Sequence, residues 1–256
     1  MLRNYKLIQL NTFILLLLYV LLSPNLVSAQ ISVTDVIMAF KPENRPVHNV
    51  TVGNSSDEML HVLVEPVEVI NPGTPEEQRI STQSLIVAPK RFSIKGKGQR
   101  SVRILLHKRP QDTEAVYRVS FVPQSVPPSE EQIQSQTKSG RTISLKVLTG
   151  VGMLIFAEPA NRRPSLKWKR IGDSIKFTND GNINVRIRNP LACDPDTLPS
   201  EASVTSSTAG CTVITDIPGR MYAGATASIK APADKAIVIT KDFNDTIERL
   251  VIPPLK

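Results

Sequence analysis

The chain is poor in the side chains that carry most enzyme chemistry. Its 256 residues hold three histidines (His48, His61, His107) and two cysteines. No HExxH pair, CxxC pair, nucleophile elbow or phosphate loop occurs, so the zinc, serine-hydrolase and P-loop chemistries tied to those motifs are excluded. Gly96-Lys97-Gly98 reads as a turn between strands, since no helix follows it. His61 and His107 fall on the polar parity of alternating segments and read as surface residues. Asp112 and Glu114, both in a loop, are the nearest approach to an acid/base pair. Aromatics make up 5% of the chain, too few to stack on bases, so nucleic acid is not an expected partner despite a formal charge of +8. Beyond residue 22 no apolar run is long enough to span a bilayer. No internal repeat is visible, and no segment before Pro159 has a helical period. Neither enzyme activity, a metal nor a cofactor is expected.

What is present starts with a targeting segment. Arg3 and Lys6 precede an apolar stretch at residues 13–22, and Val27-Ser28-Ala29 is a small-residue cleavage site. Residues 1–29 therefore read as a signal peptide, with the exported chain starting near Gln30. Export to an oxidising compartment makes Cys193 and Cys211 a natural disulfide pair. The scattered Lys and Arg residues suit solubility, and can steer an acidic partner.

The remainder reads as strands. Residues 31–40 form a candidate first strand, and 47–52 alternate into the turn cluster Gly53-Asn54-Ser55-Ser56-Asp57. Leu60, Val62 and Val64 alternate up to Pro66. Leu85 to Ala88 stop at Pro89. Val102, Ile104 and Leu106, then Tyr117, Val119 and Phe121, alternate with polar residues. After residue 164 a second series follows at 166–170, 174–177, 183–187, 212–215, 225–231, 236–240 and 247–252. Asn179-Asp180-Gly181-Asn182 between them reads as a hairpin turn. Short strands at regular spacing predict β-sandwiches. The chain is thus expected to be all-β: one sandwich over 30–157, a hinge at 158–164 (EPANRRP), and a second sandwich over 165–256. Asn49, Asn54 and Asn244 head short glycosylation-type sequons, a pattern common in Asn-rich turns.

The most informative stretch is 142–156, TISLKVLTGVGMLIF. Ile143, Leu145, Val147, Val151, Met153 and Ile155 share one face of an extended strand; Leu148, Leu154 and Phe156 share the other. The mean strand is about 5–6 residues, and this run is far longer. A strand that outruns its sheet exposes apolar side chains and unpaired backbone groups. Here it reads as a strand lent to another protein.

Several blocks then resemble the periplasmic pilus-assembly chaperones of the chaperone–usher systems. They are NVTVGNSSDEMLHVLV (49–64), LIVAPKRFSIKGKGQRSVRILL (85–106), EAVYRVSFVP (114–123), the long strand at 142–159, FTNDGNINVRIRNP (177–190) and the Pro218–Tyr222 loop. The resemblance implies two immunoglobulin-like β-sandwich domains in a boomerang arrangement. It implies a chaperone that completes fimbrial subunits, whether pilins or a tip adhesin, by donor-strand complementation, then yields them to an outer-membrane usher. Ile143, Leu145, Val147, Val151 and Met153 are the implied donors. In that family a basic pair, an Arg of the first strand and a Lys of the last, anchors the subunit carboxylate. Residues 31–40 contain no Arg, so the pair does not carry over, and the chain looks more like the alternate or archaic branches. Arg118, then Arg103, are the candidate anchors. The sequence leaves open whether the free protein self-associates to hide its edge. Two competing readings are a two-domain immunoglobulin-like pilus subunit or adhesin, and an extracellular enzyme on a sandwich scaffold.

Overall fold

The computed structural model describes residues 30–125, 148–198, 210–243 and 246–255. Residues 1–29, the donor positions Ile143, Leu145 and Val147, and Asn244 lie outside the described residues. The described residues are almost entirely strand and turn, with one 3-10 turn at Pro195–Thr197.

Ten described strands build the first sandwich: β1 (Ile31–Val33), β2 (Ile37–Phe40), β3 (Val47–Asn54), β4 (Leu60–Ile70), β5 (Gln78–Ser81), β6 (Leu85–Ala88), β7 (Arg91–Ile94), β8 (Gln99–Leu106), β9 (Ala115–Gln124) and β10 (Val151–Ala157). One sheet runs β1-β3-β8-β6; the other runs β2-β10-β9-β4-β5, with β7 also on β4. Alternation puts Val50, Val52, Val102 and Ile104 of one sheet against Val62, Val64, Val119, Phe121, Met153 and Ile155 of the other. All are buried in a single core.

Eight described strands build the second: β11 (Lys167–Ile171), β12 (Ser174–Thr178), β13 (Val185–Cys193), β14 (Cys211–Val213), β15 (Arg220–Met221), β16 (Thr226–Lys230), β17 (Ala236–Asp242) and β18 (Ile247–Ile252). They form sheets β11-β12-β16 and β14-β13-β17-β18, with β15 also on β13. A separate core of Ile175, Phe177, Val185, Ile229 and Ile239 fills the space between them. Cys193 and Cys211 are cross-strand partners and are disulfide-bonded.

The structure corrects four expectations. Residues 31–40 are two strands in different sheets: β1 is antiparallel to β3, and β2 is parallel to β10. The chain changes sheet at Thr34-Asp35, where His48 Nε2 meets Asp35 Oδ2 at 3.1 Å. Pro66 does not end β4. It lies opposite Val119, in the gap between the stretches of β4 paired to β7 (Leu60–Leu63) and to β5 (Val67–Ile70). Val64 N–H donates to Lys90 O on that side. By alternation the missing Pro66 N–H faces the gap, where the ladder asks for no donor. Residues 179–182 are not a hairpin, since β12 and β13 belong to different sheets. Gly181 is needed for close approach: a Cβ there would come within 2.4 Å of Arg163 O. The strand at 183–187 starts at Val185 and continues to Cys193. It passes Pro190 through a bulge at 188–191, with Asn189 at φ 49°. β5 is exposed at every residue, so its sequence carries no apolar parity to announce it.

Candidate functional site

The site begins at the edge of β10. This strand pairs with β9 from Val151 to Ala157, but with β2 only from Leu154 to Ala157. Leu154 N–H donates to Val36 O at 2.8 Å, so alternate residues of β10 direct their backbone groups toward β2. Gly152 is the next residue with that direction, and β2 begins only at Ile37, opposite Leu154. The edge is open there among the described residues. Val36 and Ile37, 54% and 49% exposed, flank the opening. Residues 148–150, just upstream, are not strand.

The two faces of β10 have different surroundings. Met153 and Ile155 are fully buried in the first core, and Val151 packs half-buried against it. Met153, one of the predicted donors, is thus a core residue of its own sandwich. Its strand parity points between the two sheets, on the same side as its cross-strand partner Val119. Leu154 and Phe156 point the other way and join Val69, Val116 and Tyr222 in a small apolar cluster joining the sandwiches.

Arg118 lies on this second face. Its cross-strand partners are Leu154 and Val67, while Tyr117 and Val119 on either side are buried in the core. A Cβ at Gly152 would lie 4.0 Å from Arg118 Cδ, so the arginine stem runs beside the open edge. Its Nε is buried without a hydrogen-bond partner. Arg103 is placed elsewhere. It is exposed on the outer face of the other sheet, between buried Val102 and Ile104, with Nε 3.5 Å from Asn49 Oδ1. The two candidate anchors therefore do not face one group, because they stand on different sheets.

A polar seam holds the two sandwiches together beside this face. The Glu114 carboxylate accepts hydrogen bonds from Asn184 N at 3.2 Å and from Asn184 Nδ2 at 2.9 and 2.7 Å. Asn184 Oδ1 accepts one from Arg220, whose guanidinium lies 4.4 Å above the Phe156 ring. Asn182 Nδ2 donates to Asp112 O and Asn161 O, both at 2.8 Å, and its Oδ1 accepts from Arg163 N at 2.6 Å. Arg109 donates to Phe40 O, Lys41 O and Glu158 O, tying the ends of β2 and β10. Buried Glu158 pairs with Arg162 at 3.1 Å. Burial pushes the Glu114 carboxyl from the usual 4.5 up to about 7; the Asn184 bonds oppose this and the Glu158 charge adds to it. Glu114, Asn182 and Asn184 are thus structural joints, and Asp112 contributes its carbonyl. The sequence signal for them is slight: two asparagines alternating with Ile183 and Val185.

Asn54 is also structural. It is 3% exposed, donates to Glu58 O and Ile94 O, and accepts from Ser56, so its sequon belongs to a folded turn. His61 hydrogen-bonds Ser93, and His107 is exposed.

Comparison with known proteins agrees with this architecture. Residues 28–162, just over half the chain, match the family described as pili and flagellar-assembly chaperone, PapD N-terminal domain. The chain is 28% identical over 151 residues to a CS1 fimbrial protein of Escherichia coli; the match covers 56% of this chain and 61% of that relative, about three fifths of its length. The fold is similar to the crystal structure of the class 5 fimbriae chaperone CfaA, with TM-score 0.59 and 20% identity over 88% of this chain and 100% of that one. It is also similar to the Salmonella enterica SafA pilin–SafB chaperone complex, with TM-score 0.56 and 15% identity over 88% and 97%. At these identities the likeness is one of fold, two immunoglobulin-like sandwiches. With the family match spanning the open-edged first sandwich, the chain belongs to the pili and flagellar-assembly chaperones.

Proposed function

We propose that the protein is a periplasmic chaperone that holds fimbrial subunits by donor-strand complementation and releases them to an outer-membrane usher. The observation that carries this reading is the open edge of β10 at Gly152, upstream of the point where β2 takes over the pairing. An open edge with apolar flanks is a liability in a protein that does not use it. It is the required template for a partner that adds a strand, with backbone bonds giving affinity and alternate side chains giving specificity.

Strand parity supports the donor residues. Val151, Met153 and Ile155 face inward, and Ile143, Leu145 and Val147 share their parity. Continued upstream as strand, those three project the same apolar row beyond the sandwich, into the core of an incomplete partner. Val151 and Met153 then hold the base of the strand. Arg118, beside the open edge, offers a guanidinium to a subunit carboxylate. The proposed division is a cleaved signal peptide at 1–29, a donor-bearing domain over 30–157, a hinge at 158–164 and a second domain over 165–256.

The test is a periplasmic pull-down. The C-terminally tagged protein is co-expressed with the exported fimbrial proteins encoded beside it, and eluted species are identified by intact mass. A one-to-one complex with a fimbrial subunit, absent for Leu145→Asp at unchanged thermal midpoint, is the expected result. Full subunit recovery with Leu145→Asp would remove the donor-strand assignment. Elution as polymers of the tagged chain itself would favour the pilus-subunit reading.

A further inference from the structure

The cleft between the sandwiches holds more cationic donors than acceptors. Arg186 of β13 and Arg220 of β15 are cross-strand partners. Val185, Ile187 and Met221 beside them point into the second core, so Arg186, Arg220 and Tyr222 point out of the opposite face. That face meets the first sandwich, because Arg220 and Tyr222 both contact Phe156, with the two ring centroids of Phe156 and Tyr222 6.4 Å apart.

The acids nearby are committed. Glu114 is held by Asn184, Asp242 by Arg188 at 2.5 Å, and Glu77 by Gly73 N at 3.1 Å and Arg79 at 3.5 Å. Arg220 is committed too, to Asn184 and the Phe156 ring. Two guanidiniums remain. Arg118 on the first wall has a buried Nε without an acceptor, and Arg186 on the second has no hydrogen bond or ion pair among the described residues. Tyr222 shares the outward face with Arg186 and Arg220 and feels Arg118 from the first wall: burial raises its hydroxyl pKa, and the positive charges of Arg220 and Arg118 oppose that rise. An uncommitted guanidinium in a partly dry cleft is a planar two-toothed donor, the geometry that a carboxylate matches.

We infer that the second sandwich supplies half of the anion site: Arg186 and Tyr222, opposite Arg118, hold a carboxylate of the bound fimbrial subunit across the cleft. This rests on the chaperone reading above but goes beyond it, since it gives the second domain a direct part in holding the subunit. The carboxylate is either the α-carboxylate of the subunit or an Asp or Glu side chain near its end.

Recovery of the co-expressed subunit from the periplasm tests the inference. The variants are Arg118→Gln, Arg186→Gln, Arg186→Lys and Tyr222→Phe, with Leu145→Asp as control. Each is paired with the native subunit and with one carrying a short glycine extension that displaces its terminal carboxylate. Arg186→Gln should lower native recovery about fivefold or more, with Arg186→Lys and Tyr222→Phe falling less and the thermal midpoint of the free chaperone unchanged. If the α-carboxylate is the ligand, the extended subunit is recovered poorly by wild type, and Arg186→Gln lowers it no further. If a side-chain carboxylate is the ligand, the extension is harmless and Arg186→Gln still lowers recovery. Wild-type recovery with Arg186→Gln, alongside loss with Arg118→Gln, would overturn the role of the second sandwich. Wild-type recovery with both would leave the cleft without a carboxylate site. Loss of recovery with Leu145→Asp separates all of these from failure of the donor-strand reading, which full recovery there would signal.

Discussion

Burial decides what Glu114 does. Read from the sequence it is one acid of a loop; in the fold it is enclosed at the joint, bonded by Asn184 and close to Glu158. Its carboxyl is raised from 4.5 to about 7, so between those values the folded protein keeps a proton that the unfolded chain has shed. Stability from this group therefore falls as pH rises from 4.5 through 7, and levels off above. Urea midpoints for wild type and Glu114→Gln at pH 5, 6, 7 and 8 check the sign. The wild type should lose ground to the variant as pH rises, with the variant the more stable at pH 8. Parallel curves would show that Glu114 titrates normally. Met153 carries a similar lesson. Its parity is legible in the sequence, but parity cannot say whether a partner or the protein's own second sheet fills the space before it. The opposing sheet, with Val102 and Ile104, answers that.

At the scale of elements, alternation locates most strands because one face of each is wet. It fails where the chain leaves one sheet for another. The segment 31–40 has a continuous strand-like composition, yet divides at Thr34-Asp35 because its halves serve opposite sheets. Proline terminates neither β4 at Pro66 nor β13 at Pro190; a gap in the neighbouring ladder tolerates the first and a bulge the second. The 179–182 stretch imitates a hairpin in composition only: neither Asp180 nor Gly181 takes the positive φ of such a turn, and the next strand joins another sheet. The disulfide is legible from two cysteines in a chain whose first 29 residues read as an export signal. It joins β13 to β14 at a sequence separation of 18. Replacing Cys193 and Cys211 together by Ala should destabilise the second domain by about 2–5 kcal/mol. Calorimetry under oxidising conditions measures this, and an unmoved unfolding transition would show the bond to be dispensable.

At the scale of the molecule, the two cores are separate, and what couples them is a thin seam. The Asn182 side chain alone reaches Asp112 O and Asn161 O through Nδ2 and accepts from Arg163 N through Oδ1. Asn182→Ala leaves those groups without partners, a loss of about 1–3 kcal/mol. The expected outcome is one cooperative unfolding transition separating into two, with a larger radius of gyration by small-angle scattering. An unchanged single transition would place the coupling in the Phe156–Tyr222–Arg220 stack instead. Under the proposed function that seam has a second consequence, because it sets where Arg186 and Tyr222 stand relative to Arg118 and the open edge of β10. By itself the sequence determined the all-β class, the two-part division and the disulfide, and it marked out the apolar run at 142–156, since each follows from local pattern: alternation, turn residues, cysteine count and run length. Only the tertiary structure decided that the described strand of that run is Val151–Ala157, that its inward side chains are already spent in its own core, where β2 stops covering it, and which arginines face the cleft. Those depend on which strands become neighbours, and neighbours are set by long-range packing that no local pattern encodes.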